Sequence, residues 1–425
     1  MKINISLPYG KGHITGGLPK KRLNGFIRGR IDEVKPDMPG IDIVRRAMEN
    51  PAGSPRLYEL AAGKKKITVI ISDHTRPVPS KAILPPMLEE LRKGSPDAEI
   101  ILLVATGCHR PTSDNELRAK LGDEIFEKER IVIHDCADES MMVKLGTLPS
   151  GGELIINRTA AEADLLVAEG FIEPHFFAGY SGGRKSVLPG IASKKTVYAN
   201  HCSKFIADPN SRAGILDGNP IHRDMVYAAE KAGLKFIVNA VINSRHEVIG
   251  AFAGDAFAAH AAGVSFLEGL CRSKPLPADI VFTTNNGAPL DQNVYQAVKG
   301  MTAGESTCRE GGVIIMCAEC ADGHGGQSFF DTFAGGDSPA GILRRIEAVP
   351  QSETVADQWE AQVLARIMSR HSVVMISSAP DEMIRAFGMT PAHSIEEALA
   401  AADSILGRPG DITVIPEGIS CVIAE

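Results

Sequence analysis

The sequence predicts an α/β protein of two α/β domains with mainly parallel sheets. Three observations carry that prediction. From Lys66 onward, short β-branched runs alternate with helix-length segments, the pattern of βαβ units. The alternation pauses at Cys271 to Ala278, which contains Pro275 and Pro277, and restarts near Asp279. At 425 residues the chain exceeds what one hydrophobic core usually organises, so two or three domains are expected.

In order, Ile67–Ile71 reads as a strand, and Pro79 to Gly94 as a helix with Ile83, Leu84, Met87, Leu88 and Leu91 on one face. Ile100–Val104 is the next strand. Thr112–Leu121 is a helix with Thr or Ser at its cap and Glu116 in its first turn. Ile131–Ile133 and Leu165–Val167 are further strands. Beyond the hinge come a strand at Ile280–Phe282, a helix at Asp291–Met301 and a strand at Val313–Met316. Helices at Ala340–Ala348 and Ala356–Met368, a strand at Val373–Ile376 and a helix at Ile395–Ala402 follow. Ile412–Ile423, around Pro416-Glu417-Gly418, reads as a hairpin. The expected division is residues 1–270 and 271–407, with 408–425 returning to the first domain.

Composition narrows the function classes. A 44% hydrophobic content is enough for folded cores and argues against a disordered chain. The net charge of −7 argues against a general nucleic-acid binder. The basic stretch Lys20, Lys21, Arg22, Arg28 and Arg30 is short and reads as solvated surface. No apolar run reaches the ~18 residues of a membrane span, and Met1 to Gly17 lacks a signal pattern, so a cytoplasmic location is expected. The eight cysteines read as thiols. Cys317 and Cys320 form one CxxC pair, followed by His324, with no second pair at zinc-ribbon spacing.

Ligands of open α/β sheets bind beyond the carboxyl ends of the strands. Three such ends are unusually polar here: Ser72-Asp73-His74-Thr75-Arg76-Pro77, Ala105-Thr106-Gly107-Cys108-His109-Arg110-Pro111, and Glu169 to His175. Each delivers a histidine, which suggests one shared site. Next comes Gly179-Tyr180-Ser181-Gly182-Gly183-Arg184-Lys185-Ser186. Its glycines would allow close backbone approach to a ligand, and its N–H groups would suit an anion. It fails as a P-loop, because Arg184 stands where the second glycine belongs. Lys185 is a candidate phosphate contact or attachment point. Gln296 and Lys299 are three apart and share a helix face.

The run Asp73-His74-Thr75-Arg76, the turn Thr106 to Pro111, Glu173-Pro174-His175-Phe176-Phe177, Gly182 to Ser186, and Asn200-His201 together resemble the nickel-dependent lactate racemase family, in residues and in spacing. Gln296, Lys299 and Trp359 extend the resemblance over nearly the whole chain. It implies two α/β domains with the active site in the cleft between them. The implied cofactor is a nickel-pincer nucleotide, pyridinium-3,5-bisthiocarboxylic acid mononucleotide nickel. Two sulfurs, a ring carbon and one histidine bind the nickel. By resemblance His201 is that ligand, and Lys185 is the lysine that can attach covalently to the cofactor. Asp73, His74, Thr75 and Arg76 contact the cofactor. His109 and His175 are the acid/base pair, and Arg76, Gln296, Lys299 and Trp359 bind substrate. The implied partners are a small 2-hydroxy acid and the proteins that synthesise the cofactor and insert nickel; nucleic acid and membrane are not among them.

The chemistry accounts for such a set. The Cα–H of lactate lies beside a carboxylate that is already negative, so direct proton abstraction is difficult. Hydride removal gives a neutral ketone instead, and needs an acceptor that no side chain supplies. The hydroxyl proton must be served on both faces, hence two histidines. Lactate is the first expectation; malate, phenyllactate or a sugar acid are alternatives within the family. A non-catalytic nucleotide-binding regulator would need neither histidine. A zinc hydrolase would need a compact ligand set such as HExxH, which is missing here.

Overall fold

The computed structural model describes residues 1–424 and divides the chain into two units. Glu425, the last residue of the segment expected to return to the first domain, lies outside the described residues.

One unit comprises Arg30–His201 and Pro209–Leu270. Its six-stranded sheet runs in the order Val248–Gly254, Leu234–Ile242, Leu165–Phe171, Lys66–Ser72, Glu99–Ala105, Arg130–Ile133. Only the Val248–Gly254 edge is antiparallel. The inner strands are continuous apolar runs because helices cover both faces. Ser80–Gly94 buries Ile83, Leu84, Met87, Leu88 and Leu91, the face read from its spacing. Asp114–Leu121 starts at a capping box between Ser113 and Glu116. From Lys66–Ser72 the chain moves outward to Glu99–Ala105 and Arg130–Ile133. It then returns to Leu165–Phe171 on the other side of Lys66–Ser72. The strand order reverses there, and the loops after the two strands leave in opposite directions. The crevice they open is where such sheets bind ligands.

The other unit joins Met1–Gly29, Cys202–Asp208 and the chain from Cys271 onward. Its sheet is parallel throughout, in the order Thr390–Ala392, Ser372–Ile376, Cys308–Cys317, Ala278–Thr284, Ile412–Ile415, Leu23–Phe26. Here the structure departs from the division expected at 1–270 and 408–425. Leu23–Phe26 takes an edge of this second sheet, behind a hairpin of Lys2–Tyr9 and Gly12–Pro19. Ile412–Ile415 is fully buried between two parallel neighbours, so the last segment stays in this unit. Nor is that segment a hairpin: Val422–Ile423 pairs in parallel with Arg272–Ser273, a geometry no tight turn can produce.

The helix carrying Gln296 and Lys299 spans Val294–Glu305, starting later than the sequence predicts. Asn293 caps it, accepting from Gln296 N at 2.9 Å, while Asp291 accepts from Gly10 N at 2.7 Å and Glu319 N at 3.0 Å. Thr283 Oγ1 donates to Gly300 O at 3.0 Å, and Gly300 N donates to Asn285 Oδ1 at 3.0 Å. A Cβ on Gly300 would stand 2.4 Å from the Thr284 carbonyl oxygen. Gly300→Ala should therefore destabilise the protein by about 1–3 kcal/mol by pushing this helix off the sheet, visible as a lower Tm. An unchanged Tm would show that the helix slides at no cost.

Candidate active site

The loop after Lys66–Ser72 turns on a buried carboxylate. Asp73 Oδ1 accepts from Thr75 N at 3.2 Å and Thr75 Oγ1 at 2.7 Å, closing an Asx-type turn. Its other oxygen lies 2.7 Å from His109 Nδ1. The Asp73 side chain is 2% exposed and that of His109 is 45% exposed. Burial alone would push the Asp73 carboxyl up; the His109 hydrogen bond and charge, then Thr75 and Arg76, hold it below the ordinary value. With Nδ1 committed to Asp73, His109 presents Nε2 outward. This is the base-plus-orienting-carboxylate arrangement of acid/base enzymes. The His109 turn is itself fixed: His109 N donates to Thr106 O at 2.9 Å, and Gly107 N, at φ 55°, donates to Gly190 O at 2.9 Å.

His175 is held differently. Its Nδ1 accepts from Ala178 N at 3.3 Å, its ring stacks on Phe176 at 5.1 Å, and Phe177 meets it edge-on at 4.6 Å. Lys185 Nζ lies 3.4 Å from His175 Nε2 and 5.9 Å from the Phe177 ring centre. The same Phe177 ring meets His201 edge-on at 5.1 Å. His201 is buried at the end of the helix Lys194–Asn200, and burial, then the Lys185 charge, push it down to about 3. The structure thus gathers His175, Lys185 and His201 around Phe177, and Asp73, Thr75, Arg76 and His109 around one carboxylate. His74 Nδ1 lies 3.1 Å from Thr112 Oγ1. In the other unit Lys299 Nζ donates to Gln296 Oε1 at 2.6 Å, and Trp359 hydrogen-bonds Tyr295.

The glycine-rich loop is partly engaged with the protein itself: Ser181 N donates to Glu173 O at 2.9 Å, Gly183 N to Asn239 Oδ1 at 2.8 Å and Lys185 N to Gly182 O at 3.2 Å. The glycines are required by the protein's own close approaches. A Cβ on Gly182, at φ 80°, would stand 2.6 Å from Asn239 Oδ1, and one on Gly183, at φ 52°, 3.0 Å from the His260 ring. Arg184 organises the loop. Its guanidinium is 1% exposed and donates to the carbonyls of Ala178, Ser181 and Gly182 and to His222 Nδ1, with His260 Nε2 at 3.0 Å.

Several contributors carried no sequence signal, because they come from distant elements. Lys120 Nζ donates to the Arg76 carbonyl at 3.1 Å, and Glu169 Oε1 accepts from Ser80 Oγ at 2.7 Å. Burial lowers Lys120 and raises Glu169, and each opposes the other's shift by its charge. Glu360, buried beside Lys299, is raised to about 8 by burial against the Lys299 charge. Burial raises the Cys317 thiol to about 12 and Cys320 further. Nor is the basic stretch merely solvated, since Arg22 forms a two-pronged ion pair with Asp403 at 2.5 and 2.8 Å.

Two outcomes follow. Asp73→Asn should slow proton transfer through His109 by about 10²–10⁴-fold while the fold persists, read as turnover beside thermal melting. A near-native rate would leave the contact structural. Second, burial and then the Arg184 charge hold His222 at about 4 and His260 at about 3. Below about pH 6.5 the unfolded chain binds protons that the folded protein refuses, so stability falls as pH drops from there towards 4. The fall in Tm between about pH 7 and pH 5 should be smaller in His222→Asn; equal slopes would refute the assignment.

Known proteins match the whole chain. A family model for the lactate racemase N-terminal domain matches residues 9–214, and one for the lactate racemase C-terminal domain matches residues 273–423. A lactate racemase of Thermoanaerobacterium thermosaccharolyticum is 52% identical over 99% of both chains. One of Lactiplantibacillus plantarum is 48% identical over 99% of this chain and 100% of its own. The solved lactate racemase apoprotein of T. thermosaccharolyticum superposes with a TM-score of 0.96 over 100% of both chains at 51% identity. A Thermotoga maritima protein at 19% identity, covering 91% of this chain and 97% of its own with a TM-score of 0.64, shares the fold. The chain therefore belongs to the lactate racemase family and is an isomerase.

Proposed function

We propose that this protein racemises a 2-hydroxy acid, with lactate the first substrate, using His109 and His175 as acid/bases beside a nickel-pincer nucleotide. The observation that carries the reading is the His109–Asp73 pair at 2.7 Å, which bridges the ends of Glu99–Ala105 and Lys66–Ser72, the latter adjoining Leu165–Phe171, the strand that leads to His175. The names of the close relatives favour lactate. Malate, phenyllactate or a sugar acid would require a differently shaped pocket around the same chemistry.

The residues fit the cofactor. Imidazole coordinates a metal only when neutral, and buried His201 is neutral across the physiological range. Among the described residues no three His, Cys, Asp or Glu side chains converge as a metal site. His201 would be the protein's donor to nickel, and the nucleotide would supply the other donors. Lys185 supplies an amine against Phe177 for contact or covalent attachment. Asp73, His74, Thr75 and Arg76 form the adjoining wall.

The bound group supplies a reversible hydride acceptor. The protein's own part concerns protons and orientation. Arg76 is the cation beside Asp73 suited to a substrate carboxylate; in the other unit Gln296 fixes the Lys299 ammonium. His109 Nε2 takes the hydroxyl proton of one enantiomer, and Asp73 stabilises the imidazolium so formed. His175 serves the hydroxyl of the other. Rotation of the ketone about its tethered carboxylate exchanges the histidine it addresses, because proton transfer needs about 2.6–3.2 Å or one bridging water.

Protein produced with the cofactor-synthesis machinery should racemise enantiopure lactate. His109→Ala and His175→Ala should each block complete interconversion, while exchange with the ketone persists from one enantiomer only. His201→Ala should lose nickel with its Tm retained, and Lys185→Ala should retain less nucleotide. Near-native racemisation in both histidine variants would defeat the two-base reading. Racemisation of another 2-hydroxy acid but not lactate would change the substrate alone.

A further inference from the structure

The eight cysteines form no disulfide, and five of them, Cys202, Cys271, Cys317, Cys320 and Cys421, are buried. Burial raises Cys308, Cys317 and Cys421 to about 12, so those thiols stay protonated and unreactive. Cys108 and Cys136 differ. Cys108 is exposed, three residues beyond the strand Glu99–Ala105, and Cys136 is half-buried, three beyond Arg130–Ile133. These strands are parallel neighbours, with Val104 opposite Ile133. His134 N donates to Val104 O at 3.1 Å, and Thr106 Oγ1 to His134 O at 2.6 Å. The two turns thus leave the sheet laced together, and the Cys108 and Cys136 side chains hydrogen-bond. That bond, helped by Lys194 and opposed by burial and Asp135, lowers Cys136 to about 7.

We infer that Cys108 and Cys136 are a redox modification site: a dithiol that a hydroperoxide converts to an intramolecular disulfide, displacing His109 from Asp73. The Cys136 thiolate attacks the peroxide oxygen. With hydrogen peroxide the O–O bond breaks, a sulfenic acid forms, and the departing hydroxide takes a proton to leave as water. The Cys108 sulfur then attacks the sulfenic sulfur and gives up its proton. The S–S bond forms and the second oxygen leaves as water. The two sulfurs together lose two electrons, and the peroxide gains them. The S–S bond closes to about 2.05 Å, so one turn must move. The Cys136 side is pinned, because Lys194 N donates to its carbonyl at 3.0 Å and the neighbouring His134 ring is held by Asn157 at 3.2 Å and Ala192 O at 3.1 Å. The exposed turn with Cys108 yields by giving up its own bonds, His109 N to Thr106 O and Gly107 N to Gly190 O, and His109 is the next residue.

The effect on turnover rests on the role proposed for His109; the disulfide itself does not. Hydrogen peroxide in small molar excess, followed by alkylation and peptide mass mapping, should join the Cys108 and Cys136 peptides with the loss of two hydrogens. The other six cysteines should remain thiols, and dithiothreitol should reverse the link. No cross-link, or sulfinic acid at either residue in its place, would overturn the site. In cofactor-loaded protein, racemisation should fall about 10²-fold or more on oxidation and return on reduction, while Cys136→Ser keeps its activity through the same treatment. Equal inactivation of Cys136→Ser, or full activity of the cross-linked protein, would overturn the displacement of His109. Cross-linking in protein that racemises no 2-hydroxy acid even when reduced would uphold the dithiol and count against the functional reading alone.

Discussion

A buried guanidinium holds the functional end of the sheet in place. Arg184 is 1% exposed, and among the described residues no carboxylate pairs with it. Its donors meet three backbone carbonyls and His222 Nδ1, with His260 Nε2 3.0 Å away and itself 2.9 Å from Ser181 O. Burial lowers it only to about 9, so it stays charged at neutral pH. An ion removed from water this fully is tolerated only where every donor has a partner. The carbonyls of Ala178, Ser181 and Gly182 therefore have one geometry available. That geometry fixes the position of Lys185 and the turn that orients His175.

The two histidines are positioned by unlike physics. His109 is exposed and directed by a charge-assisted hydrogen bond to a buried carboxylate. His175 is packed between aromatic rings and directed by a backbone N–H. The two rings are thus held by unlike partners, although a racemase must serve both enantiomers.

Buried ionisable groups elsewhere support the loops instead of acting on substrate. Glu169 and Lys120 lie on opposite sides of the 73–76 loop, one taking Ser72 N and the other donating to the Arg76 carbonyl. Glu360 stands beside Lys299 in the second unit. Each is a buried ionisable group whose shift is opposed by an opposite charge nearby. Such arrangements favour one conformation over its neighbours more than they add to stability.

The sequence by itself determined the class of fold, seven of the twelve strands of the two six-stranded sheets, the boundary near Cys271, and the three polar strand ends that carry His74, His109 and His175. These features are local: β-branched runs, helical spacing, caps and strand-end polarity are written in consecutive residues. Tertiary structure decided the rest. Leu23–Phe26 and Ile412–Ile415 lie 386 to 392 positions apart, and only their parallel ladder assigns the N-terminus to the second sheet. Asp73 meets His109 across 36 residues, and Arg184 meets His260 across 76. No periodicity reports such pairings, because hydrogen bonds between distant residues depend on the strand order. Where a short motif does speak, as in Gly182-Gly183-Arg184-Lys185, it gives the residues but not their partners. Its glycines lie against Asn239 and His260, and some of its N–H groups are taken by Asn239 and the protein's own carbonyls, contacts that the motif itself does not report.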